Sequence, residues 1–373
     1  MIFCLHHCNF VVIIILRLEL SIGDALKKVE EMESFKKIIA DIYSFYSRSP
    51  KMKNELIAIA SKMKDKIQLR EFSKVFEVRW AFSSKTATDS FLHNLAPLIS
   101  HLEITIKRLS SSLRKMKKPT KTKAKVHAKY CKLKNCLDNV KSFSFISQLC
   151  LLNDCLAELT SLSLMLQKES APSFAIWPRI CSVKKALLEY GYLVNDDNGN
   201  LVGNNGPLTK ELFSAIESAD EYFVFKGATF KVPSAEDLNA FLDVRKLFIS
   251  SLVERLSRRF SGVCQGLLEW AQIFDPLQWK TPTGEKETFG GYEIRNLAIH
   301  FGFNITECSL LIANFRNMKR GMGVSTLLKN LIAKLETLPF TTSECERGSN
   351  LHIHSSVYFT FVYFIFMPIN NRL

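Results

Sequence analysis

Stretches in which apolar residues recur every three or four positions most strongly constrain what this sequence can fold into. The clearest series is Phe145, Leu149, Leu152, Leu156, Leu159 and Leu166. This period places apolar side chains on one face of an α-helix, and its near-heptad spacing predicts packing against partner helices. With 373 residues and 47% hydrophobic residues, the chain is long and apolar enough to bury a substantial core. We therefore expect a mostly α-helical fold.

The same periodicity predicts helices at about 22–47, 54–63, 89–113, 234–260, 263–274, 292–301 and 324–335. Pro97 is expected either to kink the third of these helices or to mark its true start. Ser234 can cap the fourth.

A minor β component is predicted at three places. Alternating β-branched and aromatic residues over 74–80 indicate a short strand. The Gly- and Asn-rich segment 195–206 predicts a turn between strands at 190–194 and 201–202. A second hairpin is predicted from 222–225 and 229–232, turning at Gly227.

Positive charge is concentrated in one region, the basic stretch, residues 107–134. Twelve Lys and Arg residues and no acid lie between Ile104 and Leu137, whereas the whole chain carries a net charge of +14. Such a stretch indicates a polyanion contact or a nuclear-import signal, and the alternative is a solvated face. Because it contains Pro119, we expect it to be partly loop. The densest lysines are Lys115, Lys117, Lys118, Lys121, Lys123 and Lys125.

Neither a metal site nor membrane association is expected. The ten cysteines are scattered and form no CxxC pair, which indicates reduced, mostly buried intracellular thiols. Cys4, His6, His7 and Cys8 lie too close together for tetrahedral zinc. The apolar runs 10–16 and 357–369 are shorter than the roughly 20 residues that span a bilayer.

Four separated segments resemble one family, in order and spacing. Residues 17–25 (RLELSIGDA) are similar to the "HRLELAVGDA" segment of hAT-type transposase-derived proteins, whose relatives carry BED or TTF-type zinc fingers. Residues 76–84 resemble the family's "TRW-x-SS" segment. Phe274, Asp275, Pro276, Trp279 and the residues 289–294 resemble the lead into its C-terminal region. Residues 338–348 (LPFTTSECERG) resemble "LPVSSAECERGFS", the hAT C-terminal dimerisation motif.

The resemblance implies an RNase H-like α/β core interrupted by a large helical insertion, here incomplete. Residues 17–84 would be a remnant of that core, and 85–270 a mainly helical insertion domain containing the basic stretch. Residues 271–348 would return to the core and to a partial dimerisation region. Residues 1–16 and the apolar tail 349–373 match nothing in the family pattern, so we expect a copy that is truncated at both ends.

The family's chemistry requires two Asp and one Glu, because carboxylates hold the two Mg²⁺ ions that clamp a phosphodiester. The resemblance assigns only Glu346 to this set, since both family aspartates lie upstream of Arg17. Leu16 also replaces the family's His. A lone carboxylate cannot build a two-metal site, so we expect no catalytic activity, no cofactor and no bound metal. An intact relative would be a Mg²⁺-dependent transposase.

Two further residues are candidates for DNA contact through the resemblance. Trp80 occupies a family position near the active site, where an aromatic ring can stack on an unpaired base. Arg79 could neutralise a phosphate. The alternatives are a core tryptophan and a surface or ion-paired arginine.

The leading hypothesis is a transposase-derived, DNA-associated nuclear protein without catalytic activity, binding DNA non-specifically. A homodimer through the C-terminal region is a further expectation, although the motif is interrupted after Gly348. No small-molecule substrate is expected. One alternative is a protein–protein interaction or dimerisation module without DNA binding. The other is a fragment of an active hAT transposase whose remaining exons are missing.

Overall fold

The computed structural model describes residues 17–18, 20–63, 67–72, 80–116, 120–166, 173–191, 193–195, 201–203, 205–261, 263–275, 290–319 and 323–336. They belong to two compact units. The larger comprises Arg17–Ala171 and Ala175–Gln265. The smaller contains residues 173–174 and the described residues from Gly266 onward. Both are mostly helical, so the predicted helical class is confirmed.

The larger unit begins with helices α1 (residues 20–28), α2 (Glu30–Ser47) and α3 (Pro50–Ala60). The predicted first helix is therefore interrupted at Val29. The Ser49–Pro50 pair begins α3, four residues before the predicted start. The Ser49 hydroxyl accepts a hydrogen bond from the Met52 N–H at 3.4 Å, and Pro50 occupies the first turn, where its missing N–H costs nothing.

Helices α4 (Trp80–His93) and α5 (Leu95–Lys115) follow. Pro97 lies in the first turn of α5, so it marks the true start of that helix. The predicted strand at 74–80 is wrong at its end, because Trp80 begins a helix; residues 73–79 lie outside the described part of the chain. Alternation over seven residues is too short to separate a strand from a helix start.

Helix α6 (Lys121–Val140) shows that most described residues of the basic stretch are helical. Among residues 107–116 and 120–134, Met116 and Thr120 are the non-helical ones, so the predicted loop is limited to positions beside the undescribed residues 117–119. The Thr120 hydroxyl accepts a hydrogen bond from the Lys123 N–H at 3.1 Å and so caps α6. Lysine and alanine are good helix formers, which explains why dense charge does not prevent the helix.

Helix α7 (Phe143–Leu166) confirms the helix that the apolar series predicts, and it is the central helix of the larger unit. The expectation of one apolar face is wrong, because the helix is buried on all sides. Eighteen of its 24 residues are buried. In the described part of the chain it alone is long and apolar enough to cross a membrane, yet 72% of the qualifying window is buried within the fold. A helix that is apolar on all sides and enclosed by neighbours is explained as a core helix.

The buried cysteines support the prediction of mostly buried thiols. Of the six described cysteines, Cys136, Cys150, Cys155 and Cys308 are buried. Desolvation raises the pKa of the Cys136 thiol to about 12, and it also raises the pKa values of Cys150 and Cys155. These thiols therefore stay protonated and behave as small apolar side chains.

Helix α8 (Ser173–Gly191) leads into two antiparallel hairpins. Strands β1 (Leu193–Asn195) and β2 (Leu201–Gly203) pair around the predicted turn region, with Val194 opposite Val202. Strands β3 (Tyr222–Phe225) and β4 (Ala228–Lys231) pair with Phe223 opposite Phe230, and their turn uses positive φ at Lys226 and Gly227. Both predicted hairpins are confirmed, although Tyr190 still belongs to α8 and the first strand begins only at Leu193.

Helix α9 (Pro207–Glu217) lies between the two hairpins in the sequence, and its N-terminus is capped by a residue that is distant in the sequence. Its N-cap residue, Gly206, has no side chain to offer. The buried carboxylate of Asp154, on α7, instead accepts hydrogen bonds from the N–H groups of Leu208 and Thr209 and from the Thr209 hydroxyl, at 2.7–3.0 Å. The core helix thereby fixes the start of α9.

Helix α10 (Ala235–Arg259) completes the larger unit and begins, as predicted, at a Ser234 cap, here a full capping box with Asp237. Near its end the Arg259 guanidinium donates to the Asp24 carboxylate at 2.6 Å. Asp24 lies inside α1, so this ion pair connects α1 with α10. This pair joins the first and last long helices of the unit.

Helix α11 (Val263–Ala271) begins in the larger unit and continues into the smaller one. The smaller unit then contains helices α12 (Gly291–His300), α13 (Ile305–Lys319) and α14 (Thr326–Glu336) among its described residues. Helix α13 is not predicted by the periodicity analysis. Its start signal is the reciprocal pair of Asn304 and Glu307, whose side chains each accept a hydrogen bond from the other's backbone N–H. Leu311 and Phe315 of α13 are buried, whereas Ile305 is 87% exposed.

Candidate nucleic-acid interface

Helices α5 and α6 pack on each other and carry the basic stretch away from the core. The last buried residue of α5 is Thr105 and the first of α6 is Leu133. No described residue between them is buried. We call residues 106–132 the basic arm. At 1.5 Å per residue the two helices are each about 30 Å long, and roughly half of each belongs to the arm.

Ion pairs with the surrounding helices hold the base of the arm. Lys132 pairs with Asp41 of α2, and Arg108 pairs with Glu55 of α3, each at 2.9 Å. Just outside the arm, Lys141 pairs with Glu103, also at 2.9 Å. Exposed pairs stabilise the fold only modestly, by up to about 1 kcal/mol each. Their importance here is that they neutralise the basal cations and orient the arm.

The distal cations have no such partners. Lys107, Arg114, Lys115, Lys121, Lys123, Lys125 and Lys129 form no ion pair among the described residues. Six of them are exposed, and Lys123 is half-buried. Because the arm contains no acid, their field is not compensated locally, and it attracts anions to the end of the hairpin.

The charges surround the arm rather than forming a single stripe. Lys121, Lys125 and Lys129 are four residues apart on α6 and share one face, with about 6 Å of helix rise between neighbours. Lys123 lies on another flank of the same helix, and Arg114 and Lys115 end α5. A flexible polyanion could therefore approach the arm from several directions.

The start of α6 adds an electrostatic reason to bind anions. The first turn contains Lys121 and Lys123 and no acid, so lysine charges lie beside the partial positive charge of the helix N-terminus. Like charges at this end destabilise the helix by a few tenths of a kcal/mol each. A phosphate bound near the tip would relieve that repulsion and would also meet free backbone N–H groups.

Four of the sequence-predicted lysines, Lys115, Lys121, Lys123 and Lys125, are brought together at the tip, where α5 ends and α6 begins. Lys117 and Lys118 fall between these helices but lie outside the described residues, as do Arg79 and Glu346. Trp80 begins α4, and its side chain is also outside the described part. These last predictions therefore stay predictions.

Lys107, Arg114 and Lys129 belong to the same charged surface but are not among the predicted contact residues. Reading the basic stretch as helix would have found them, because Lys129 continues the four-residue spacing of Lys121 and Lys125. His127 and Cys131 are also exposed on α6, with the Cys131 Sγ 3.8 Å from each His127 ring nitrogen. Within the described residues, no three His, Cys, Asp or Glu side chains are grouped so that they could hold a metal ion.

A hydrogen-bonded chain lies beneath the base of the arm. The Tyr46 hydroxyl is 2.8 Å from Nδ1 of His101, and His101 Nε2 is 3.3 Å from a Glu55 carboxylate oxygen. Arg108 donates to the other Glu55 oxygen. Because a carboxylate only accepts, Nε2 carries the proton and Nδ1 accepts the proton of Tyr46.

Burial sets the protonation of this chain. Desolvation lowers the pKa of His101 despite the opposing effect of Glu55, so the imidazole is neutral at pH 7. Desolvation also raises the pKa of the Tyr46 phenol, which keeps its proton. The chain is thus a satisfied network of neutral and ionised partners that joins α2, α3 and α5.

Comparison with known proteins adds no assignment: the chain matches no protein-family model, no curated protein and no solved structure.

Proposed function

We propose that this chain is a transposase-derived, DNA-associated nuclear protein that binds duplex DNA through the basic arm and catalyses no reaction. The observation that carries the proposal is the set of seven distal cations without ion pairs on an arm that contains no acid. Phosphate is the repeating anion that such a surface suits best, because each neutralised phosphate releases condensed counterions.

The composition of the arm favours contact with the DNA backbone over reading of bases. Among the seven distal cations only Arg114 is an arginine, and lysine acts as a flexible point charge rather than a bidentate fork. Base recognition in the major groove relies mainly on Arg, Asn and Gln pairs with base edges. Tyr130 is half-buried on α6 and therefore poorly placed for stacking. Binding should accordingly be sequence-tolerant.

The hAT-type resemblance supports the association with DNA and with the nucleus. It assigns the arm to the helical insertion domain, and the basic stretch also has the composition of a nuclear-import signal. An RNase H-like core remains part of this proposal. The described strands form two antiparallel pairs, β1–β2 and β3–β4, both within the region that the resemblance assigns to the insertion. The absence of catalysis is proposed because Glu346 has no matching aspartates.

A pair of charge-matched variants tests the proposal. The arm variant replaces Lys115, Lys121, Lys123 and Lys125 by Gln. The control variant replaces Lys27, Lys37, Lys51 and Lys62, which are exposed and form no ion pair among the described residues. Both lose four positive charges, and glutamine has nearly the helix propensity of lysine, so the helices should persist.

Fluorescence anisotropy with a labelled duplex of arbitrary sequence, at low salt, measures the outcome. We expect the arm variant to bind at least about tenfold more weakly than the wild type, and the control variant to remain within about twofold. Equal weakening of both variants would show that only net charge matters. Undetectable binding by the wild type would refute DNA association and favour the interaction-module alternative.

A further inference from the structure

A cavity of about 1070 Å³ lies in the larger unit, away from the distal part of the basic arm. It is bounded by helices α2 and α3, by the non-helical segment 67–72 and by α4. Ligand sites in proteins have comparable volumes and are concave, mostly apolar and aromatic, with a few polar groups that fix orientation. The cavity therefore has the size of a small-molecule site, although the sequence led us to expect no small-molecule substrate.

Aromatic and aliphatic side chains make about half of the cavity wall, and polar or charged side chains make the rest. Tyr43, Tyr46, Leu56, Ile57 and Phe72 all line it. The rings of Tyr46 and Phe72 stack with their centroids 5.3 Å apart and their planes at 30°. This stacking occupies the facing surfaces of the two rings, and the aromatic surface that remains on the lining, including that of Tyr43, favours a planar aromatic guest.

Hydrogen bonds from residues behind the lining fix the position of the cavity wall. The buried side chain of Asn94 bonds both backbone groups of Arg70: its Oδ1 accepts from the Arg70 N–H at 3.0 Å, and its Nδ2 donates to the carbonyl at 2.6 Å. His93 Nε2 is 2.8 Å from the Gln68 carbonyl oxygen. On the opposite wall, the bond to His101 fixes the Tyr46 ring. A preorganised cavity loses little conformational entropy when a ligand binds.

Two polar groups on the cavity lining lack partners. Ser90 is 4% exposed, and its hydroxyl makes no hydrogen bond within the described residues. Because Ser90 lines the cavity, its hydroxyl is available for a hydrogen bond to a ligand atom. The guanidinium of Arg70 has no ion pair in the described part of the chain. By contrast, Lys53, the other cation on the lining, pairs with Glu71 at 2.8 Å.

We propose that this cavity binds a planar aromatic molecule that carries an acidic group. The ring would lie against Tyr46 and Phe72, the anionic group would meet Arg70, and a polar atom would bond Ser90. The site is independent of the DNA-binding arm, so the two proposals can succeed or fail separately.

Two fluorescent probes with the same ring system test the proposal on the full chain. 8-Anilinonaphthalene-1-sulfonate carries an anionic group, whereas N-phenyl-1-naphthylamine is neutral. We expect saturable binding of both by the folded protein. Arg70→Gln should weaken the sulfonate by about tenfold, the effect of losing one charge-assisted hydrogen bond, and leave the neutral probe unchanged. Lys62→Gln removes an equal charge outside the cavity lining and should change neither.

Phe72→Leu should weaken both probes, because it removes the stacking ring and keeps an apolar side chain. Cooperative thermal unfolding, followed by circular dichroism, checks that each variant is folded. If Phe72→Leu fails to fold, Arg70→Gln still decides the question, since Arg70 is exposed. Sulfonate binding that is unsaturable, or that is equal in the wild type and Arg70→Gln, would overturn the proposal.

Discussion

Gly206 immediately precedes helix α9 and lies against Asp154 of the core helix α7, so an alanine there is expected to destabilise the larger unit. Its backbone, with φ −60° and ψ 163°, is accessible to any residue, so the penalty cannot come from backbone strain. A Cβ atom at this position would lie 2.5 Å from Cβ and from Oδ2 of Asp154. Asp154 cannot easily withdraw, because it caps α9 with three hydrogen bonds.

The size of the effect follows from these contacts. Overpacking at a buried contact costs about 1–3 kcal/mol, and the lower entropy of the unfolded alanine chain offsets about 0.4–1 kcal/mol of this. We therefore expect Gly206→Ala to lower the free energy of unfolding by about 1–2 kcal/mol. Asp154→Ala should lower it by about 3 kcal/mol or more, because donors on Leu208 and Thr209 lose their acceptor.

The double variant separates this mechanism from general damage. Asp154→Ala removes Cγ and Oδ2, which obstruct a Cβ at position 206, but it keeps the Cβ of residue 154. Gly206→Ala should therefore cost less in the Asp154→Ala background than in the wild type. Urea unfolding followed by far-UV circular dichroism gives the four free energies, and the expected coupling is about 0.5–1 kcal/mol. Additive penalties, or a neutral Gly206→Ala, would refute the proposed contact.

Three further outcomes are expected. Desolvation lowers the pKa of His101 in the folded chain, so below about pH 6.5 the unfolded chain takes up a proton before the folded chain does. The free energy of unfolding should therefore fall as the pH drops from about 6.5. His101→Asn should reduce this pH dependence, measured as the difference between urea midpoints near about pH 7.5 and about pH 5.5. Trp80→Ala should weaken binding to single-stranded or hairpin-ended DNA by about 1–3 kcal/mol in a titration, without changing the dependence on salt. The purified chain should not cleave or join DNA with Mg²⁺ or Mn²⁺ on gels; metal-dependent nicking that Glu346→Gln abolishes would mean that a complete catalytic site exists.

Periodicity and turn chemistry were sufficient to predict much of the fold. The apolar series from Phe145 to Leu166 gave the central helix because every turn of α7 is buried. Gly227 located the β3–β4 turn because glycine readily takes positive φ. Ser234 likewise located the start of α10, since capping is a local interaction between residues close in sequence.

Features that depend on distant residues were not predictable. No local pattern shows that Asp154 caps a helix that begins more than 50 residues later. The bonds from Asn94 to Arg70 are equally non-local, so the cavity they support was not foreseen. The extent of helix in the basic stretch, by contrast, could have been predicted from local signals. Pro119 and the lysines led us to expect a partly looped stretch, although Thr120 was available as the capping residue of α6.

The lysines of the basic arm were predicted better than the helical structure that carries them. Lys115, Lys121, Lys123 and Lys125 were identified from charge density, and the structure places them at one end of a helical hairpin. Which cations are neutralised could not be inferred, because the acids that pair with Arg108 and Lys132 lie more than 50 residues earlier in the chain. Only the structure shows that the cations at the base of the arm are ion-paired and that those at its tip, among the described residues, are not.

The salt dependence of duplex binding tests the central claim most directly. If four to six phosphates are neutralised, log K should fall with log salt with a slope of roughly −4 to −5 for the wild type. The slope of the arm variant should be less negative than that of the wild type by about 3 to 4, because each phosphate contact removed changes the slope by about 0.9. The control variant should retain the wild-type slope. Equal slopes for the wild type and the arm variant would contradict the assignment of the basic arm as the DNA-binding surface.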